Sequence, residues 1–302
     1  MIRCGQLRSI PVALAPILVA CAGGNTPTGG ELPAEGASGP TATMGKPEIV
    51  YASPTGNASE VFSSNISGLL PQQLTSLGGH VAFPVWSPDG NRVLFVAMNE
   101  DSANLMILDT ESGESSVVLA NNGNPADWGP RGEQILVTKD DANGRGLYLI
   151  TVATGAEERI DTGSTSDAYA RWGRDGAAVV YESSRDGNPE IYLTNPESGE
   201  TKRLTENNHL DEWPSLSRDS SQVAWASGTE EDKNLWVMNV DGSQKRQITE
   251  SMMFGDAFPE WSPDGSQILL TVRENDQFML NLIELVSGDA THIGEGAGAS
   301  WR

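Results

Sequence analysis

Phe83-Pro84-Val85-Trp86-Ser87-Pro88-Asp89-Gly90 joins an apolar run to a tight turn, and Phe258-Pro259-Glu260-Trp261-Ser262-Pro263-Asp264-Gly265 repeats it almost residue for residue. Proline at the second turn position presets φ, aspartate can bond its own backbone, and glycine accepts a left-handed conformation. Weaker copies fill the interval. Trp86, Trp128, Trp172, Trp261 and Trp301 form one series, with Leu216 where a sixth member is due, at spacings of 42, 44, 44, 45 and 40. After these anchors come SPDG at 87–90, GPRG at 129–132, GRDG at 173–176, SRDS at 217–220 and SPDG at 262–265. A β-rich run begins seven residues past each anchor: VLFVA at 93, ILVTK at 135, VVYES at 179, VAWAS at 223 and ILLTV at 268.

Working outward, each unit carries a third run, such as EIYLT or NLWVM, and then a glycine at 113, 155, 199, 242 or 288. Gly68 opens that glycine series. A polar fourth segment follows, as in QQLT at 72–75, KRLT at 202–205 and RQIT at 246–249. Four short strands in 40–45 residues cannot bury both sheet faces alone, but radial stacking can. The expected fold is therefore all-β, a six-bladed propeller of four-stranded antiparallel blades over residues 48–302. Residues 48–77 supply three strands of one blade, and GASWR at 298–302 supplies the missing first strand. The ring should close where the two ends share a sheet. Each anchor is expected to fill space between neighbouring blades, worth about 1.5–3 kcal/mol by burial. Trp213 lies outside the series and is expected either to compensate for Leu216 or to be exposed near the channel mouth.

The pattern P-x-W-S-P-D-G, a β run, I-Y and then L-T resembles the WD40-like (PD40) repeat of TolB-type propellers. FPVWSPDG at 83–90, FPEWSPDG at 258–265, EIYL at 190–193 and KRLT at 202–205 carry the likeness best. The resemblance implies a propeller fold and a scaffold role, as in the periplasmic members of the family. The same repeat also precedes the hydrolase of some serine peptidases, but no G-x-S-x-G nucleophile elbow occurs in this chain.

Residues 1–20 read as a signal peptide, with Arg3 and Arg8 ahead of the apolar stretch IPVALAPILVA. Leu18-Val19-Ala20-Cys21 resembles the lipobox of bacterial lipoproteins, which makes Cys21 the expected lipidated residue. Residues 21–47 are rich in Gly, Pro and Thr and read as a flexible tether. An exported protein, lipid-anchored in the envelope on an outer membrane or at the cell surface, follows from that reading. The only cysteines are Cys4 and Cys21, so the globular part holds no disulfide and no thiolate chemistry. A net charge of −22 argues against nucleic acid and against a basic membrane patch.

Five residues before their anchors stand Asp167, Asp211 and Asp256 in three consecutive units, with Asp127, Glu212 and Glu260 near by in sequence. Such carboxylates on one channel rim could hold a divalent cation or a basic partner group. Each could equally cap its own loop. His80 and His209 enter first strands as well, and with the rim acids they outline a metal-assisted hydrolase or lyase acting on carbohydrate or peptide. The leading expectation is a monomeric, non-catalytic interaction scaffold that binds an envelope protein, peptide or polysaccharide. No cofactor is required; a divalent cation or small molecule at the rim is the further alternative.

Overall fold

The computed structural model describes residues 48–67, 71–250, 258–275 and 277–302. Cys21, the segments 1–20 and 21–47, Gly68 and Asp256 lie outside the described residues. Six four-stranded antiparallel sheets make up the described chain. Blade 1 contains β1 (Ile49–Thr55), β2 (Ala58–Ser64) and β3 (Gln72–Gln73). Blade 2 contains β4 (His80–Trp86), β5 (Arg92–Met98), β6 (Ala103–Asp109) and β7 (Ser115–Leu119). Blade 3 contains β8 (Ala126–Trp128), β9 (Gln134–Asp141), β10 (Gly144–Thr151) and β11 (Glu157–Arg159). Blade 4 contains β12 (Asp167–Trp172), β13 (Val179–Ser183), β14 (Glu190–Thr194) and β15 (Thr201–Arg203). Blade 5 contains β16 (Leu210–Leu216), β17 (Gln222–Gly228), β18 (Lys233–Asn239) and β19 (Arg246–Gln247). Blade 6 contains β20 (Glu260–Trp261), β21 (Gln267–Glu274), β22 (Gln277–Glu284) and β23 (Ala290–Glu295).

The last strand, β24 (Ala297–Trp301), returns to blade 1 and pairs antiparallel with β1, placing Ile49 opposite Trp301 and Val50 opposite Ser300. Arg302 N–H continues the ladder to the Glu48 carbonyl at 2.8 Å. The inner strands β4, β8, β12, β16, β20 and β24 touch in succession and back to the start. The ring closes as the repeat count requires.

Two polar devices recur because they satisfy backbone groups that the short strands leave open. In the S-x-D turns, Ser87 Oγ donates to Asp89 at 2.6 Å, while Asp89 accepts the Asn91 amide at 3.1 Å and Ser87 Oγ accepts the Arg92 amide at 2.9 Å. Ser217 with Asp219 and Ser262 with Asp264 repeat that arrangement. The turn closes on Gly90 at φ 68°; Ser220 holds the same place in SRDS at φ 57°. The Leu-Thr and Ile-Thr pairs form the second device. Thr75, Thr205 and Thr249 accept the third-segment amides of Val61, Ile191 and Leu235 at 2.9, 2.8 and 3.0 Å. Threonine thus pins the outer edge of a blade to the interior.

The core is divided among the seams. Six hydrophobic clusters each combine side chains of two neighbouring blades. Trp86, Trp128 and Trp261 are buried in three of them, and Trp172 and Trp301 are partly buried in two more. The indole N–H groups of Trp128, Trp261 and Trp301 reach back to the carbonyls of Val85, Ser215 and Glu260 at 3.2, 3.3 and 3.2 Å. An anchor therefore seals its seam and also donates across it. At the seam of blades 4 and 5, Leu216 is joined by Trp225 and Trp236, whose rings lie 6.1 Å apart. These indoles stand on the second and third strands, where the seam of blades 3 and 4 has Tyr181 and Tyr192 beside its anchor Trp172. Trp213 neither compensates for Leu216 nor stands exposed: it is buried in a separate cluster with Phe258 and Tyr169.

Candidate functional site: the central channel

Each blade brings two positions toward the channel, one residue and three residues before the anchor. The outer of these carries Phe83, Pro125, Tyr169, Trp213, Phe258 and Gly298. Phe83, Tyr169 and Trp213 have φ of 53°, 51° and 51°, a region that bulky residues seldom adopt, and Gly298 has φ 58°. The pairing of β4, β12 and β16 with their second strands slips at that point. A bulge there bends the strand and re-aims the side chain. As a result Tyr169 of blade 4 and Phe258 of blade 6 meet with ring centroids 6.2 Å apart, although blade 5 separates them in the ring. Aromatic rings constrict the channel at this level.

One residue before the anchors come Val85, Asp127, Arg171, Ser215, Glu260 and Ser300, one from each blade, and all line one cavity of about 90 Å³. Arg171 dominates it. Its guanidinium lies 2.6 Å from Glu260 of blade 6 and 3.6 Å from Asp127 of blade 3, and its Cζ stacks 3.9 Å from the centroid of Phe258. Asp127 also accepts the Trp172 amide at 2.9 Å, so it fastens blade 3 to blade 4. Burial pushes the Glu260 carboxyl up to about 7; Arg171 pulls it down and Asp127 pushes it further up. Burial wins there because a charged carboxylate loses water that one guanidinium only partly replaces. The Arg171 Nε–H is buried without a partner among the described residues.

The acids at the start of the inner strands are arranged differently. Asp167 is wholly buried; it accepts from Arg185 Nη2 at 2.9 Å and from the Thr162 hydroxyl. Asp211 is wholly buried too, accepting from Asn207 Nδ2 at 2.7 Å and Trp225 Nε1 at 3.1 Å, and its burial raises its pKa. Each holds the loop that enters its blade. Glu212 pairs with Lys233 at 2.6 Å, and Lys233 lies over the Trp213 ring at 4.7 Å. Next to them Glu182 accepts the Trp213 amide at 3.2 Å, and burial, reinforced by Glu212, raises its carboxyl to about 8.

His80 and His209 stand on blades 2 and 5, across the ring from each other. His80 Nδ1 is buried with no partner among the described residues, whereas His209 is exposed on its loop. Among the described residues no three His, Cys, Asp or Glu side chains are grouped to hold a metal ion. The channel thus brings Asp127 and Glu260 together around Arg171 and leaves Asp167, Asp211 and the histidines apart. Arg171 and the aromatic position were not legible as site residues in isolation. Their one signal was register: both fall at fixed distances before the anchors.

A closed ring of six four-stranded blades around a polar channel defines a β-propeller. The family model described as "TolB beta propeller domain" matches residues 46–299, and the chain belongs to that family. Among solved structures, TolB from Acinetobacter baumannii is similar at 21% identity and a TM-score of 0.75, over 84% of this chain and 66% of that one. A protein described as TolB from Agrobacterium tumefaciens is similar at 22% identity and TM-score 0.68, covering 84% of this chain and 92% of its own. Oligogalacturonate lyase from Vibrio parahaemolyticus shares the fold at 13% identity and TM-score 0.55, over 82% and 74%. No curated protein sequence matches the chain.

Proposed function

We propose that the protein is a non-catalytic scaffold of the bacterial cell envelope, exported by residues 1–20 and anchored through lipid on Cys21. Residues 21–47 hold the propeller clear of the membrane, and the ring engages a protein or peptide partner. Membership of the TolB propeller family carries this reading, because that fold is the part shared over residues 46–299. Two features support it. The rim acids Asp167 and Asp211 are buried against their own loops, and the middle of the channel is filled by Arg171, Glu260 and aromatic rings. A rigid ring with a filled axis suits binding at its mouths.

The test is fractionation and pull-down with the full chain expressed in a bacterial host. Wild type should stay in the membrane fraction and retain a protein partner from solubilised envelope, whereas Cys21→Ser should move to the soluble fraction. Retention of no partner across mild detergents, or an unmoved Cys21→Ser variant, would refute the corresponding half.

A further inference from the structure

The turns after the inner strands form a collar around the channel mouth, and their second position breaks into two kinds. Blades 2, 3 and 6 place Pro88, Pro130 and Pro263 there; blades 4 and 5 place Arg174 and Arg218. All five residues line the cavity that Arg171 crosses. Proline is the residue this turn position favours, since it presets φ. Arginine adds nothing to the turn.

Nor do the two arginines serve a salt bridge. In a chain of net charge −22, Arg174 and Arg218 make no ion pair and no hydrogen bond among the described residues. They are close enough to repel: Arg218 is held below its usual pKa by burial and by Arg174. Behind them Arg171 lines the same cavity, and its Nε–H is buried without a partner among the described residues. Three guanidiniums with one acid pair among them leave positive charge at this mouth. Like charges left together on adjacent blades cost stability unless an anion joins them.

Building on the scaffold reading, we propose that this mouth is a binding site for the carboxylate of a peptide partner, gripped between Arg174 and Arg218. A guanidinium matches a carboxylate with two parallel N–H donors, so two of them can hold one group from both sides. The cavity of about 90 Å³ admits a side chain or a chain end between the prolines. An acidic sugar is the competing occupant: Trp86, Trp128 and Trp261 are buried in the seams, and among the lining indoles the half-buried Trp172 and Trp301 keep the exposed surface on which a ring can stack.

The experiment is fluorescence anisotropy on the full chain with a short labelled Gly/Glu peptide, blocked at both ends, and its Gly/Gln counterpart. A third probe, the Gly/Gln peptide with a free C-terminal carboxylate, separates a chain end from a side chain as the source. At least one carboxylate probe should bind about tenfold tighter than the blocked Gly/Gln peptide, and salt should erode the advantage. The double variant Arg174→Pro/Arg218→Pro, which installs the residue of the sister turns and should therefore fold, is expected to lose the preference. Equal binding of carboxylate and amide probes overturns the proposal. So does a preference that survives in the double variant, or one shown only for an oligogalacturonate competitor. If the double variant still retains its envelope partner, the scaffold stands and this site falls.

Discussion

The two ends of the inner strands use charged residues in opposite ways. At the entry end, Asp167 and Asp211 recur at the same register, are fully buried, and bond loop residues of their own blade. Near the exit, one residue before the anchors, the charged side chains Asp127, Arg171 and Glu260 differ from blade to blade and meet from three different blades. Repetition at a register answers a local demand of the blades that carry it, such as tying a loop. Individuality at a register is free of that demand and can be spent on a single place on the axis. The same contrast separates Pro88, Pro130 and Pro263 from Arg174 and Arg218.

The comparison can be broken at its strongest point first. Trp261→Ala should empty the seam of blades 5 and 6, lose the bond to the Ser215 carbonyl, and cost about 3–5 kcal/mol in urea unfolding. A loss under 1 kcal/mol would mean the anchors are not what seals the ring. Asp167→Ala should cost about 2 kcal/mol, less than a fully buried pair would, since Arg185 keeps some contact with water. An unchanged melting temperature would place that acid on the functional side of the divide.

The smallest effect sharpens the channel side and depends on pH. Glu260 titrates near 4.5 when unfolded and at about 7 in the fold, so the folded state binds the extra proton between those values. Its contribution is favourable at low pH and declines as pH rises from about 4.5 through 7. Glu260→Gln should therefore gain on wild type by about 1–2 kcal/mol across that window, as read by unfolding at several pH values. A difference that stays flat with pH would show that Arg171 holds the carboxylate charged throughout.

Much of the blade was readable because each part of the pattern answers a local need. Ser-x-Asp-Gly turns close themselves, Leu-Thr pairs cap a neighbouring strand, and an anchor every 40–45 residues marks one seam. The channel was less readable, since Arg171 and Glu260 lie in blades 4 and 6 and nothing local announces their contact. Trp213 illustrates the difficulty. Its position outside the anchor series was visible, yet a left-handed bulge sends it into a cluster with Tyr169 and Phe258, while Leu216 packs with Trp225 and Trp236.

Strand number, turn chemistry and the shared first blade were settled by the sequence alone, because each rests on neighbours along the chain or on a period that can be counted. Which acids are buried, which arginines lack partners, and which six residues face one another across the channel were decided only by closing the ring. Closure sets distances between residues far apart in the chain, and those distances determine whether a charge meets water, a partner or another charge of its own sign.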